Sequence, residues 1–296
     1  MKPLRIGFLL PHYGEPNKSH MPVVMRALQE WGVVTDVIHR SGRAIDVSTV
    51  RVEHDLYVLK HTNGFALSLA GALHAQGAVI VNPYPVTVAL RDRVITSRIW
   101  QSAGVPTPAT YVVKHPGLVA PLLDEGPLVV KPCQGSGGFG VRVIRQLADL
   151  ASVQAGKEPV FAQRYHPPQG RDRKLYSIGG RLFGVKKIFP PKTEEEKHGE
   201  PFTPTPELGE IALRCGRAFG IDLFGVDIVE SEGKPYVVDM CSMPGFKGVP
   251  DAPLLLAQYF YAAVERVARA QPLVETAVLM EAGAGPRKPN TSRVSE

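Results

Sequence analysis

Leu128-Val129-Val130-Lys131-Pro132-Cys133-Gln134-Gly135-Ser136-Gly137-Gly138-Phe139-Gly140 is the stretch on which the reading of this chain turns. A β-branched run delivers one lysine into a glycine-rich loop, and a second β-like run, Val141-Arg142-Val143-Ile144, follows at once. Strand, lysine, loop, strand is an arrangement that can hold nucleotide phosphates between a cation and backbone N–H groups. Glycine lets the main chain approach an anion closely, and successive N–H groups form a concave anion site. The candidates are Lys131, Gly135, Ser136, Gly137, Gly138, Phe139 and Gly140. A literal G-x-G-x-x-G runs from Gly135 to Gly140, but the dinucleotide fingerprint needs a helix directly after it to receive the pyrophosphate. Val-Arg-Val-Ile reads as strand instead. The protein-kinase order fails too, because there the glycine loop precedes the lysine strand. A plain glycine-rich hairpin has the same signature, so the loop alone leaves both readings open.

A second region is equally informative: Phe224-Gly225-Val226-Asp227-Ile228-Val229, then Val237-Val238-Asp239-Met240-Cys241-Ser242-Met243-Pro244-Gly245-Phe246. Each apolar run carries one aspartate near its middle. Antiparallel pairing across a three-residue turn, Glu232-Gly233-Lys234, brings Asp227 and Asp239 together on one face. Two adjacent carboxylates repel unless a cation lies between them. Magnesium, a hard ion that prefers carboxylate and phosphate oxygen, resolves the conflict. Two solvent-facing aspartates are the plainer alternative, but the lysine loop independently asks for a phosphate that needs magnesium.

Working outward, the first 85 residues alternate strand and helix signals. Strands are expected near 6–10, 35–39, 55–60 and 78–81, and helices over 21–31 and 66–75, which makes a parallel α/β unit. A helix is expected over 88–103, strands at 110–113 and 160–165, and a short helix near 147–154. Residues 174–188 read as a hairpin turning at Gly179-Gly180. Residues 190–206, with four prolines and Glu194-Glu195-Glu196, read as a loop. A helix over 206–218 has Thr205 as N-cap, Pro206 in its first turn and Gly220 at its end. Another spans 252–268, and a disordered tail is expected beyond it. The expected units are 1–86, 87–165, 166–270 and the tail 271–296.

At 296 residues the chain suits two or three packed units, and 44% hydrophobic with 21% charged residues is ordinary for a globular enzyme. No apolar run reaches membrane-span length, and no secretory pattern opens the sequence. Cys133, Cys215 and Cys241 lack metal-ligand spacing and cannot all pair, so a reducing cytoplasm is the simplest location. Arg164, Arg171, Arg173, Lys174, Arg181, Lys186 and Lys187 stand against Asp172 alone, which accounts for the whole net charge of +6 within one segment. Such a cluster draws in a small anionic substrate. Nucleic acid is disfavoured, because interleaved aromatic platforms and a recognition helix are both missing.

The order of these motifs resembles the ATP-grasp superfamily over roughly residues 1–268. The resemblance implies an α/β and α+β architecture: an N-terminal parallel α/β lobe and two α+β lobes that clasp ATP. It implies ATP with Mg2+ (or Mn2+) as cofactors, and it is compatible with a homo-oligomer. It places the first basic phosphate contact at Arg93, where ligases usually carry lysine, and the second at Lys131. Gln163 and the main chain at Tyr165 become adenine contacts, and Asp227 and Asp239 metal carboxylates. The family's usual third metal-facing asparagine is replaced by Cys241, and a thiol is a poor magnesium ligand.

Two branches compete for the acceptor. RimK-like carboxylate–amine ligases are suggested by length and by Met243-Pro244-Gly245-Phe246-Lys247-Gly248, although the arginine and asparagine pair usual before the last helix is missing from 190–206. Inositol-trisphosphate-kinase-like members are suggested by Asp92-Arg93, by Asp239, by Lys174 and by Lys60, although their glycine-loop histidine is missing. A nucleotide-binding protein without turnover is the third reading, prompted by Cys241. In either enzyme Lys174 and Arg93 are the catalytic candidates, and Lys60, His61, His12 and Lys186 are candidate substrate contacts.

Overall fold

A computed structural model describes residues 2–11, 19–38, 44–60, 64–135, 140–153, 159–188 and 192–274. The first unit alternates β1 (Arg5–Leu9), α1 (Met21–Glu30), β2 (Val34–Val37), β3 (Leu56–Leu59), α2 (Gly64–His74) and β4 (Ile80–Val81). These four strands are parallel in the order β2-β1-β3-β4. The central strands β1 and β3 are buried along most of their length, as continuous apolar runs between helices should be.

Two short helices follow, α3 (Tyr84–Ala89) and α4 (Arg93–Ser102). The single helix expected over 88–103 is therefore broken. Asp92 adopts an extended conformation and its carboxylate accepts from the Val94 and Ile95 amides, so a new helix starts with Arg93 as its first residue.

β5 (Thr110–Val113), β6 (Leu128–Pro132), β7 (Arg142–Ile144) and β8 (Val160–Arg164) form an antiparallel sheet in the order β5-β8-β6-β7. Its outer face buries Leu128, Val130, Ile144, Val160 and Ala162 as a core of its own, closed by Val119 from a 3-10 stretch.

The third sheet contains β9 (Asp172–Ile178), β10 (Arg181–Lys187), β11 (Glu200–Phe202), β12 (Phe224–Ser231) and β13 (Lys234–Cys241), in the order β11-β10-β9-β12-β13. Gly179 and Gly180 both have positive φ (60° and 79°), which suits the tight turn joining β9 to β10. The expected loop over 190–206 instead contains α5 (Glu194–His198) and β11. Thr193 and Glu196 cap α5 reciprocally, a signature the acidic tract concealed. Thr205 caps α6 (Pro206–Phe219), and Gly220 ends it in the left-handed conformation. The expected tail lies largely outside the described residues.

α7 (Ala252–Ala268) matches its expected span. It seals a core shared by the parallel sheet and the five-stranded sheet, in which Ile6, Phe8, Leu56 and Val58 meet Tyr176, Phe246 and Phe260. Buried Asn82 fastens the same junction, donating to the carbonyls of Leu223 (2.6 Å) and Ser242. Among the described residues no helix is long and apolar enough to cross a membrane.

Candidate active site

Register decides which side chains meet. β12 and β13 are joined by a two-residue turn, Glu232-Gly233, both with positive φ, rather than by the expected three-residue one. That turn alone would set Asp227 opposite Val238. A β-bulge between Asp227 and Ile228 restores the register: Ile228 pairs with Val237, but Asp227 pairs with Asp239. The two aspartates therefore stand directly opposite each other. On the other side of β12, Asp227 pairs with Lys174 of β9, which continues the row. One face of the sheet thus carries Lys174, Asp227 and Asp239, with Tyr176, Gly225 and Cys241 in the next row.

The bulge also turns a carbonyl across the cleft. Lys131 of β6 donates to Val238 O at 3.3 Å and to Gln163 Oε1 of β8 at 2.9 Å, and Gln163 Nε2 in turn donates to Thr110 Oγ1. The lysine of one sheet therefore reaches the carboxylate hairpin of another. Arg93, buried at the start of α4, donates to Pro132 O (2.7 Å) and Gly135 O (2.9 Å). Its guanidinium lies 3.9 Å from Asp239. Gly140, at the other end of the loop, has positive φ and leaves no room for a Cβ against Pro132.

Charge is distributed unevenly over this cleft. Lys174 Nζ contacts both oxygens of Asp227, at 2.7 and 2.8 Å. Burial works against its charge, but Asp227 outweighs that and raises its pKa. Asp239 is reached by solvent through the cleft over 42% of its side chain, yet protein surrounds it on most sides. That burial, with Asp227 opposite, raises its pKa. Burial brings Lys131 down to about 8, against the pull of Asp239. Asp172, at the start of β9 on the same face, is pushed up to about 6 by burial and by Asp227.

Arg93, Lys131, Gln163, Asp227, Asp239 and Lys174 are thus brought together. Lys60 joins from the end of β3, donating to Met243 O at 2.7 Å. The amide of Tyr165 is engaged by Pro127 O, and its ring lies under Arg145. Lys186 is not brought in. It lies on the opposite face of β10, against the Phe202 ring and 4.0 Å from Glu200. Its neighbour Lys187 faces the site instead, 5.5 Å from the Tyr176 ring, and burial followed by Lys174 lowers its pKa to about 8. Strand alternation across the Gly179-Gly180 turn would have chosen Lys187 over Lys186. His12, His61 and Ser136 to Phe139 lie outside the described residues.

The aspartate pair suits a hard cation whose remaining ligands are phosphate oxygens. Cys241 does not complete a protein-only set. Among the described residues no three His, Cys, Asp or Glu side chains assemble as a metal cluster, and both Asp227 oxygens already face Lys174.

Residues 90–254 match the RimK-like ATP-grasp domain model. The chain belongs to the RimK-like ATP-grasp family. A probable alpha-L-glutamate ligase 2 of Shewanella frigidimarina is 28% identical over 176 residues, which is 55% of this chain and 59% of that relative. The chain thus spans about three-fifths of that relative's length. Among solved structures, the D-cycloserine synthetase DcsG superposes with a TM-score of 0.68 at 19% identity, covering 89% of this chain and 99% of that one. The D-alanine–D-alanine ligase from Bacillus anthracis complexed with ATP gives 0.67 at 16%, covering 91% and 98%. These structural neighbours share the ATP-grasp architecture, as the sequence resemblance implies.

Proposed function

We propose that this chain is an Mg-ATP-dependent carboxylate–amine ligase acting on a small anionic acid. The observation that carries the reading is the placement of Lys131 and Arg93 opposite the Asp227–Asp239 pair, so that cations from one side meet carboxylates on the other. The names of the similar proteins, glutamate ligase and D-alanine–D-alanine ligase, support an acid and an amine as the two substrates.

In this reading Arg93 and Lys131 bind the nucleotide phosphates, and Gln163 with the Tyr165 carbonyl orients the adenine. Asp227 and Asp239 would hold the metal, which when bound neutralises phosphate charge. Lys174, already fixed by Asp227, presents its ammonium to the transferred phosphoryl group. An oxygen of the substrate carboxylate forms a bond to the γ-phosphorus, and the bond to the β-phosphate oxygen breaks to release ADP. The amine then attacks the acyl carbon, phosphate leaves, and the amine gives up a proton. Positioning and cationic stabilisation are what the residues supply.

Hydroxylamine in place of the amine tests this directly. The expected result is an acyl hydroxamate formed in step with ADP from an acid substrate. A stable phosphate ester on a polyol would instead establish a kinase, and nucleotide binding without ADP release under a broad panel of acids would establish a non-catalytic binder.

A further inference from the structure

Behind the five-stranded sheet lie two cavities that the candidate active site does not use. On β9, Lys174 faces the site, so Ser177, an odd number of residues on, faces the opposite way. A cavity of about 310 Å³ opens there between α6 and α7, lined by Ser177, by Leu213 and Arg217 of α6, and by Tyr259, Ala263 and Arg266 of α7. A second, of about 230 Å³, is bounded by Val81, Asn82, Pro83 and Gly220, and Tyr259 lines both.

The floor of the larger cavity is the run from Ile221 to Phe224 that leads into β12. Its polar groups are engaged within the protein. The Asp222 carbonyl accepts from Ser177 Oγ, the Asp222 carboxylate accepts from the Tyr259 hydroxyl at 2.6 Å, and the Leu223 carbonyl accepts from Asn82. Leu213, Ile221, Phe224 and Ala263 present carbon to the space, so its chemistry suits an apolar occupant. Interiors are close-packed, and an apolar void of this size forfeits the contacts its lining could make.

The chain itself leads an occupant to the opening. Beyond α7, Ala270 has φ of 57° and turns the backbone, and Leu273 packs against the core shared by the parallel and five-stranded sheets. Pro272 lines the smaller cavity alone, whereas Leu273 and Val274 line both, so the chain is heading into the larger one. The residues that follow, outside the described ones, read Glu275-Thr276-Ala277-Val278-Leu279-Met280-Glu281. An apolar triplet stands between two acids, matching an apolar cavity lined by two arginines, Arg217 and Arg266. Val278 is four residues past Val274, a reach of up to about 13 Å. A tether that short favours the segment of the same chain over one from a second copy.

We propose that residues 275–281 fold back as a strap into the cavity between α6 and α7. Val278, Leu279 and Met280 fill the apolar space, and Glu275 and Glu281 lie toward Arg217 and Arg266. The strap braces from behind the run that leads to Asp227, and it does not depend on the ligase reading.

Hydrogen exchange on the full chain tests this. Amides of residues 277–280 should exchange at least about tenfold more slowly than in an isolated peptide of residues 275–285. Leu279→Asp should abolish that protection and lower Tm by about 4 °C, as loss of a buried aliphatic side chain does. Leu213→Trp fills the cavity from α6 and should release the segment from a protein that stays folded, which checks the place. Exchange as fast as in the peptide overturns the inference and leaves the cavity to a partner or a small molecule. A Tm unmoved by Leu279→Asp, or protection that survives Leu213→Trp, overturns it as well. Protection that appears only as protein concentration rises, together with a dimer in size-exclusion chromatography, overturns it in favour of a second copy. None of these readouts involves ADP release, so the ligase reading stands or falls separately.

Discussion

The two walls of the cleft treat charge in opposite ways. On the five-stranded sheet, Asp227 already has a cation: Lys174 sits on both of its oxygens. On the other wall, Lys131 of β6 and Arg93 of α4 hydrogen-bond to neutral oxygens, those of Gln163, Val238, Pro132 and Gly135, and the carboxylate nearest Arg93 is Asp239 of the facing sheet at 3.9 Å. Asp227 is compensated within its own wall, and the second wall awaits an anion. Removing Asp227 should therefore affect folding, and removing Lys131 should affect ligand binding.

The largest expected effect comes from Lys131→Met. Turnover should fall by about 10² to 10³, as when one preorganised donor is lost from a charge-stabilising site. Stability in urea should change by no more than about 1 kcal/mol, because the lost hydrogen bonds to Gln163 and Val238 are set against the release of a desolvated ammonium. Loss of stability without loss of turnover would reverse the comparison.

Asp227→Asn is the counterpart. It leaves the Lys174 ammonium without its carboxylate and should lower stability by about 2 kcal/mol in denaturant titrations. Asp239→Asn should cost the fold little, since relief of its repulsion with Asp227 offsets the loss of Arg93 at 3.9 Å. A destabilised Asp239→Asn protein would show that the pair is held by something other than repulsion awaiting a cation.

A pH series sharpens the contrast. Lys131 has a pKa near 8 in the free protein and must be protonated to attract phosphate. Nucleotide affinity should be full below that value and weaken as pH rises through it, by up to about tenfold per unit. Lys131→Arg, charged throughout, should flatten the profile as read by calorimetry. The smallest effect is expected from Lys186→Ala, which removes a side chain on the far face of β10 and should leave KM for the acid within about twofold.

Much of this site was legible from local pattern. Each of the two apolar runs carries a single aspartate, and a tight turn lies between them, so little but antiparallel pairing is left. The Lys131 strand and the Ala252–Ala268 helix are likewise visible in their periodicity. The errors arose where a side chain overrode the run it sits in. Asp92 stops one helix and starts another by bonding amides ahead of it, and Thr193 with Glu196 builds α5 inside what reads as loop. The pairing of Asp227 with Asp239 was expected for an incomplete reason: the turn is one residue shorter than expected, and the bulge compensates. The choice of Lys186 over Lys187 ignored the parity of strand faces.

Asn82 carries a consequence for motion. Its amide grips the chain at Leu223, just before β12, and at Ser242, just after β13, while the parallel sheet and the five-stranded sheet bury one continuous core. The carboxylate hairpin cannot swing without dragging the end of β4 along and tearing that core. The four-stranded sheet has an interior of its own and reaches the hairpin through polar contacts such as Lys131 to Val238. In mechanical terms the parallel and five-stranded sheets make one block, and the sheet of β5 to β8 is a separate piece joined to it by polar contacts.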